Sequence, residues 1–152
     1  MSHSAPSISI PQMPHLKAII ISAAWHPEIC DALVAGAKRG FAAAGINNPT
    51  IKTVAGSFEL PLAAQLAFEE GFDIAVVVGL VLRGETPHFD YVCQGVTNGV
   101  MQVSLSKSKP IGFGVLMCDQ LSQAKDRAGL PGSKEDKGYD SAIAALSVIS
   151  NQ

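Results

Sequence analysis

Continuous apolar runs alternate with helical stripes along this chain of 152 residues. Apolar runs without an alternating polar face are typical of strands that are buried on both sides of a sheet. We predict such strands, fully apolar, at residues 16–24, 50–55, 74–82 and 111–116. Between these runs, apolar residues recur at every third or fourth position, which predicts amphipathic helices. The helices are expected at residues 27–44, 59–70, 87–106 and 122–128, with a last one ending near residue 149.

The order of these elements, β-α-β-α-β-α-β-α-α, is typical of an α/β fold with a parallel sheet and helices on both faces. Because crossovers between parallel strands are right-handed, we expect a three-layer α/β/α sandwich with a four-stranded parallel sheet, arranged in the flavodoxin-like manner. Residues 1–14 contain three prolines and little that could form a core. They are expected to be a flexible arm, unless the arm docks on a neighbouring subunit. Residues 15–152 then make up a single α/β domain.

Composition narrows the classes of partner. The formal net charge is −2 and no basic stripe is present, so we expect no nucleic-acid partner. No apolar run approaches the roughly 18 residues of a membrane span, and no signal-peptide pattern is seen, so we expect a cytoplasmic protein without a membrane partner. The chain is 47% hydrophobic, which indicates apolar surface that is buried against other copies.

Metal and disulfide chemistry are not expected from the sequence. The three cysteines are far apart and odd in number, which argues against a disulfide framework or a zinc knuckle and favours small buried apolar residues. His3, His15 and His26 show no metal-ligand spacing with one another or with the cysteines. We therefore expect no metal site.

A short polar loop, residues 83–86, follows the third apolar run. Thr86 can accept hydrogen bonds from the free N–H groups of the next helix, and Pro87 suits the first helical position. His88 then lies in the first turn, where the helix dipole disfavours an imidazolium. We therefore predict that His88 is largely neutral at pH 7 and able to accept a proton, beside N–H groups that can bind a phosphate-sized anion. Whether His88 is instead only a polar residue at a helix start is open at this point.

Other strand ends supply further candidates, because ligands of such sheets bind at the carboxyl ends of the strands. Trp25 can stack on a flat heterocycle or plug the end of the core. Glu59 can accept hydrogen bonds from ligand hydroxyls, although an acidic residue at a helix start is more often ordinary dipole complementation. Arg127, near the end of a short helix, has no assignable partner, and Lys137 lies in a loop rich in glycine and charge, where it is by default solvated.

The familiar phosphate-binding motifs are missing from the sequence. There is no G-x-x-x-x-G-K-[ST] loop, and Gly112-Phe113-Gly114 lacks the third glycine of the dinucleotide fingerprint. These absences argue against an NTPase or an ordinary dehydrogenase. The residues by themselves indicate a small-molecule α/β enzyme, or a binding protein, that handles a phosphate.

Several blocks of the sequence resemble one known family. They are GSFELP at residues 56–61, RGETPHFDYV at 83–92, GFGVL at 112–116, DRAG at 126–129 and the pair Lys137-Gly138. In this order and spacing, from about residue 16 to the C-terminus, the chain is similar to 6,7-dimethyl-8-ribityllumazine synthase, the penultimate enzyme of riboflavin biosynthesis. The resemblance implies condensation of 5-amino-6-(D-ribitylamino)uracil with 3,4-dihydroxy-2-butanone 4-phosphate to the lumazine, phosphate and water, without a metal or organic cofactor. The alternative is a non-catalytic flavin- or lumazine-binding carrier on the same fold.

The resemblance also implies roles for individual residues. The pyrimidine ring would stack on Trp25. The ribityl chain and the nearby ring edge would be held by three consecutive residues, Ser57, Phe58 and Glu59. The pyrimidine would also meet backbone groups of Leu80, Val81 and Leu82. The phosphate would be held by the backbone and hydroxyl of Glu85 and Thr86, and His88 would transfer protons. The adjacent subunit would contribute contacts to the ring, the phosphate and the ribityl chain from Phe113, Arg127 and Lys137.

Two departures from the family pattern bear on the pocket and the assembly. Met117-Cys118 stands where the family usually has two threonines, which would alter the pocket wall or only its packing. The loop over residues 129–138 is longer than in family members that build sixty-subunit shells, so we expect a free homopentamer. The N-terminal arm would add to the sheet edge of a neighbour. Riboflavin synthase is the further partner that the resemblance suggests.

Overall fold

The computed structural model describes residues 5–150. Its strands are β1 (Ala18–Ala23), β2 (Thr50–Val54), β3 (Ile74–Leu82) and β4 (Ile111–Cys118). Its α-helices are α1 (Pro27–Ala43), α2 (Leu60–Glu69), α3 (His88–Lys107), α4 (Leu121–Lys125) and α5 (Lys137–Ser150). A single 3-10 turn, Ser57–Glu59, leads into α2. Residues 1–4 of the predicted arm, including His3, and residues 151–152 lie outside the described part.

The strands form one parallel sheet in the order β2-β1-β3-β4. In the register of this sheet, Ile20 of β1 lies between Ile51 of β2 and Val76 of β3, and Val77 of β3 pairs with Phe113 of β4. A sheet that grows outward from β1 in both directions is the flavodoxin-like arrangement. The predicted α/β class and strand number are therefore confirmed.

Two cores, one on each face of the sheet, explain why β1 and β3 are almost entirely apolar. Alternate strand positions face opposite sides, so Ile20 and Val76 enter the core beneath α1 and α5, together with Leu33, Phe41 and Leu146. Their neighbours enter the core beneath α2 and α3, which contains Ile19, Ile21, Leu60, Phe68, Val77, Val96 and Val100. Burying each such aliphatic or aromatic side chain stabilises the fold by about 1.5–3 kcal/mol. The result is the three-layer sandwich that the element order predicts.

The second strand corrects the prediction that all strands are fully apolar. The first four residues of β2 are exposed and Val54 is half-buried. The sheet order places β2 at an edge, where polar and charged side chains such as Lys52 protect the open backbone from pairing with other chains.

Several boundaries differ from the prediction near the C-terminal third. Helix α4 ends at Lys125 rather than at residue 128, so Arg127 lies beyond the helix. The backbone there pairs instead with a later segment, through an antiparallel bridge between Ala128 and Asp136. Strand β4 runs on to Cys118, because its last residues continue to pair with β3 up to Leu82.

The end of the predicted arm is held against α1. The N–H of Met13 donates to the carbonyl of Ala44 at 2.8 Å, and the side-chain amide of Gln12 donates to that of Ala43 at 2.8 Å. Met13 is only 7% exposed and joins the core beneath α1 and α5. Within the predicted arm, Gln12 and Met13 are therefore packed against the domain. Within residues 5–150, no helix combines the length and the apolar character needed to cross a membrane.

Candidate active site

A cavity of about 690 Å³ opens at the carboxyl end of β1 and β3. Its lining contains nine of the residues singled out from the sequence, namely Trp25, Ser57, Phe58, Glu59, Leu80, Val81, Leu82, Thr86 and His88. Glu85 is exposed in the loop beside Thr86 and does not line the cavity. The rule that ligands bind at the carboxyl ends of parallel strands, here called the strand-end rule, therefore leads to one concave site.

Trp25 forms one wall of the cavity. It follows β1 and is 66% exposed, so it does not plug the core, and the stacking alternative is the one that the geometry allows. A backbone conformation and one hydrogen bond fix the chain at this point. His26 adopts a left-handed conformation (φ 53°) to begin α1, and the thiol of Cys30 donates to the Trp25 carbonyl at 3.0 Å.

The turn Ser57–Glu59 forms the facing wall and is tightly packed from below. Ser57 is buried, and a Cβ added to Gly79 of β3 would lie 2.5 Å from its Oγ, so only glycine leaves room there. A Cβ added to Gly56 would lie 3.3 Å from both the Glu59 carboxylate and the Trp25 Nε1. Glu59 and the indole therefore flank the same point, so one flat ligand bearing hydroxyls can contact both.

Phe58 projects from the same turn over helix α3. The side chain is 61% exposed, and its ring edge lies where a Cβ on Gly95 would come within 2.7 Å. One turn further along α3, Gly99 makes the same close approach to Pro61 of α2. Small residues on α3 therefore set how deep the turn Ser57–Glu59 and the start of α2 sit.

The end of β3 offers backbone groups to the cavity. Pairing between β1 and β3 ends with Ser22 opposite Val78, whereas pairing between β3 and β4 continues to Leu82 opposite Cys118. Residues 80–82 therefore have a strand neighbour on the β4 side alone. Their other backbone edge faces the cavity, where N–H and C=O groups can bind a heterocycle edge.

The loop from β3 to α3 carries Thr86 and His88. Helix α3 begins at His88, one residue later than predicted, and Pro87 occupies the N-cap. Thr86 Oγ1 accepts a hydrogen bond from the His88 N–H at 3.4 Å, as expected, but Pro87 lies at the N-cap instead of the first helical position and the helix has no side-chain cap. The imidazole lies in the first turn beside N–H groups without helical partners, the arrangement that favours anions.

Arg83 ties this loop to its surroundings and had no assigned role in the sequence. Its Nε lies 2.7 Å from Asp119 Oδ1, and its Nη1 lies 3.5 Å from Asp90 Oδ1. The guanidinium also stacks over the Phe89 ring at 4.4 Å. The hydrogen bond to Asp119 raises the pKa of Arg83 above its ordinary value. One side chain thus joins the end of β3, the end of β4 and the first turn of α3.

The remaining predicted site residues lie elsewhere in the chain. Phe113 and Lys137 line a separate groove of about 720 Å³ between β4, the end of α3 and α5. Arg127 lies in neither cavity, and its Nε is 3.5 Å from Glu135 Oε2. A single chain therefore brings together the strand-end residues but not Phe113, Arg127 or Lys137.

The cysteines contribute no activated thiolate to the cavity. Burial raises the pKa of the Cys30, Cys93 and Cys118 thiols above the ordinary value, which keeps them protonated near neutral pH. Over residues 5–150 no cluster of three or more His, Cys, Asp and Glu side chains is arranged to hold a metal ion.

Comparison with known proteins agrees with the geometry of the cavity. The family model described as 6,7-dimethyl-8-ribityllumazine synthase matches residues 15–152. A 6,7-dimethyl-8-ribityllumazine synthase of Streptomyces coelicolor is 49% identical over 142 residues, which cover 93% of this chain and 88% of that protein. Proteins of the same name from Paenarthrobacter aurescens and Mycobacterium avium are 51% and 48% identical, and the matches cover 95% and 94% of this chain and 92% of each relative. With the strand-end cavity and the matched sequence blocks in place, this agreement over nearly the full length means that the chain belongs to the 6,7-dimethyl-8-ribityllumazine synthase family.

Proposed function

We propose that this chain is a transferase of riboflavin biosynthesis that condenses 5-amino-6-(D-ribitylamino)uracil with 3,4-dihydroxy-2-butanone 4-phosphate. The products are 6,7-dimethyl-8-ribityllumazine, phosphate and water. The observation that carries the proposal is the single cavity lined by an exposed indole, a carboxylate and a helix start that bears a histidine. Those groups suit a planar ring, a polyol and a phosphate, the parts of the two substrates.

The ring and the ribityl chain would occupy the side of the cavity near β1. In this pose the pyrimidine stacks on Trp25, and its polar edge meets the open backbone of residues 80–82. The ribityl hydroxyls donate to the Glu59 carboxylate, while Ser57 and Phe58 hold the chain and the nearby ring edge. The high exposure of Trp25 supports this pose, since the indole face is available to a ligand.

The phosphate would lie at the start of α3. The Phe89 N–H, the Thr86 hydroxyl and the Glu85 backbone N–H are the donors that the start of α3 offers. Arg127 of a neighbouring subunit would supply a cation, which can donate a charge-assisted hydrogen bond to the leaving phosphate. Phe113, Arg127 and Lys137, here called the neighbour half-site, complete the contacts to ring, phosphate and ribityl chain.

The chemistry needs proton transfers rather than a covalent residue. The amine of the pyrimidine is itself the nucleophile on the ketone, so imine formation, loss of phosphate and ring closure require a group that accepts and returns protons. His88 lies in the cavity lining, and general acid–base catalysis of this kind contributes roughly 10²–10⁴-fold. Holding the two substrates face to face supplies much of the remaining acceleration.

The neighbour half-site makes the proposed enzyme a homo-oligomer, and we propose a cytoplasmic homopentamer. Large apolar side chains that a lone chain leaves exposed support assembly, including Leu62, Leu66, Met101, Leu105 and Val148. Riboflavin synthase, which would consume the lumazine, is the proposed further partner. Native mass measurement tests the subunit number, with five expected against ten or sixty.

A direct assay of lumazine fluorescence tests the activity. Purified protein mixed with both substrates should form lumazine, and binding of the lumazine without its formation would instead identify a carrier. His88→Ala should lower kcat by one to several decades while the oligomer persists; unchanged turnover contradicts the role of His88. Arg127→Ala should mainly raise the KM for the butanone phosphate, and an effect on the pyrimidine alone would refute the phosphate assignment.

Mixed oligomers test whether the site is shared between subunits. His88→Ala and Arg127→Ala chains would be unfolded together and refolded in equal amounts, then assayed at low butanone phosphate. In a ring with one site per interface, about one quarter of the sites regain both native residues by random mixing. Recovery of activity toward that fraction supports the shared site, whereas activity no higher than the average of the two variants contradicts it.

A further inference from the structure

Glu135 is a carboxylate that is held almost out of solvent between two cations. Its side chain is 9% exposed, with Arg127 Nε at 3.5 Å from Oε2 and Lys137 Nζ at 3.0 Å from Oε1. Arg127 and Lys137 keep about a third of their side-chain surface exposed, at 31% and 29%. The carboxylate is therefore more buried than either cation, and both cations keep surface that a ligand could contact.

Backbone pairing fixes Glu135 relative to both cations. The Glu135 N–H donates to the Asp126 carbonyl at 2.9 Å, and its own carbonyl accepts from Gly129 at 3.1 Å. The Lys137 N–H donates to the Arg127 carbonyl at 2.9 Å. The two segments thus run side by side as a short antiparallel pair, and Glu135 is not on a free loop tip.

The contacts orient the Arg127 guanidinium in particular. Its Nη1 donates to the Gln123 carbonyl at 2.9 Å, while Nε faces Glu135. Nη2 makes no hydrogen bond with the described residues 5–150, so this nitrogen is the one presented to a ligand. A guanidinium held on two of its three nitrogens has lost most of its rotamer freedom before an anion arrives.

The Lys137 ammonium is positioned by the same carboxylate. Within the described part of the chain Glu135 Oε1 is fully buried and lacks a hydrogen bond of good geometry, although the ammonium lies 3.0 Å away. The contact is therefore an ion pair, and the three donors of the ammonium can turn toward Oε1. A buried charge of this kind is stable only while its partners stay close.

We propose that Glu135 is a positioning residue that orients Arg127 and Lys137 together. The inference rests on the proposed function, in which those cations bind the phosphate and the ribityl chain at the neighbour's cavity. Glu135 itself touches neither substrate. Because one carboxylate holds both cations, its loss weakens the binding of both substrates at once.

The same loop offers a matched control pair. Lys134 Nζ lies 3.4 Å from Asp126 Oδ2, with side chains 82% and 36% exposed. An exposed pair of this kind contributes little to stability or orientation. Lys134→Gln therefore removes one charge from the loop without touching either cation of the neighbour half-site.

The test compares Glu135→Gln, which keeps the shape and removes the charge, with Lys134→Gln. We expect Glu135→Gln to raise the KM for each substrate roughly three- to tenfold, the usual size of coupling between contacting residues, with kcat changed by less than about twofold. Lys134→Gln should leave both constants unchanged. A KM for the butanone phosphate that stays constant or falls in Glu135→Gln overturns the proposal, since the carboxylate would then only offset the charge of Arg127.

A double-mutant cycle separates positioning from a general structural effect. In an Arg127→Ala background, Glu135→Gln should cause no further rise in the KM for the butanone phosphate, and in Lys137→Ala no further rise for the pyrimidine. Equal additional rises in both backgrounds overturn the proposal. If Arg127→Ala and Lys137→Ala themselves leave both KM values unchanged, the proposed neighbour half-site fails and this inference falls with it. Should Glu135→Gln not assemble by native mass, Glu135→Asp, too short to reach both cations, carries the same expected rises.

Discussion

Two glycines on α3, Gly95 and Gly99, pack against different side chains, so Gly→Ala at each position tests a different contact. A Cβ on Gly95 would lie 2.7 Å from the ring edge of Phe58, and a Cβ on Gly99 would lie 2.8 Å from the ring of Pro61. Each Gly→Ala change gains about 1 kcal/mol of helix propensity. The difference in stability between the two variants therefore reflects the contact with the neighbouring side chain and not the helix propensity.

The two neighbours yield at different cost. Phe58 is 61% exposed, so its ring can swing outward, and Gly95→Ala should be neutral or stabilise the protein by up to about 1 kcal/mol. Pro61 lies in the first turn of α2 and its ring cannot rotate away, so overpacking costs about 1–3 kcal/mol. Gly99→Ala should then be destabilised by up to about 2 kcal/mol. The expected difference in stability between the two variants is about 1–3 kcal/mol, which for a domain of this size corresponds to roughly 2–12 °C in Tm.

Thermal unfolding at one fixed protein concentration, together with steady-state kinetics, tests this reasoning. Gly95→Ala should keep or raise Tm. It should also raise the KM for the pyrimidine severalfold, because in the proposed pose the displaced Phe58 would no longer hold the ribityl chain. Gly99→Ala should lower Tm relative to Gly95→Ala. Equal Tm values for the two variants, or an unchanged pyrimidine KM in Gly95→Ala, would refute the account of how α3 positions this wall.

Three further predictions follow from close contacts and burial. Gly79→Ala places a Cβ 2.5 Å from Ser57 Oγ and should destabilise the protein by about 1–3 kcal/mol. Adding Ser57→Ala should restore much of the lost Tm, and no recovery would mean that another contact is responsible. Burial raises the folded-state pKa of Cys30 and Cys118 above 9.0, so both thiols should react slowly with a disulfide reagent at pH 8 unless the protein is unfolded. The stability due to the protonated thiols should be present below pH 9 and decline as pH rises beyond it. A Cβ on Gly84 meets nothing within 4 Å, so Gly84→Ala should leave Tm unchanged within about 0.5 kcal/mol, and a raised KM for the butanone phosphate would report that this ligand packs against the loop.

The architecture was predictable because burial on both faces leaves a direct trace in the sequence. β1 and β3 read as nearly continuous apolar runs because all of β1 and the first seven residues of β3 are buried. β2 has only one strand neighbour and mostly exposed residues, so its polar side chains carry less information. Helix ends are harder, since the position of Arg127 depends on backbone pairing with residues 135–137 that no local pattern encodes.

Within the cavity, the strand-end rule identified residues that directly follow a strand and missed contacts between strands. Trp25 and His88 were accessible to it because each lies within a few residues of a strand end. The ion pair between Arg83 and Asp119 could not be predicted in this way, because it requires β3 and β4 to be neighbours in the sheet. An arginine and an aspartate that both come directly after apolar runs would have been the signal, once the strand order was known.

The neighbour half-site marks a different kind of limit, set by distance within the chain. Phe113 pairs with Val77, and the part of β3 that lines the cavity begins only at Leu80, about 10 Å further along the strand. Phe113 and Lys137 open onto their own groove, so within one subunit they and Trp25 line separate cavities. Their sequence pattern could thus be matched to a family but not explained by one chain. In the proposed oligomer, the cavity of one copy would meet the groove of another, and there the proposed orientation of Arg127 and Lys137 by Glu135 would act on the bound substrates.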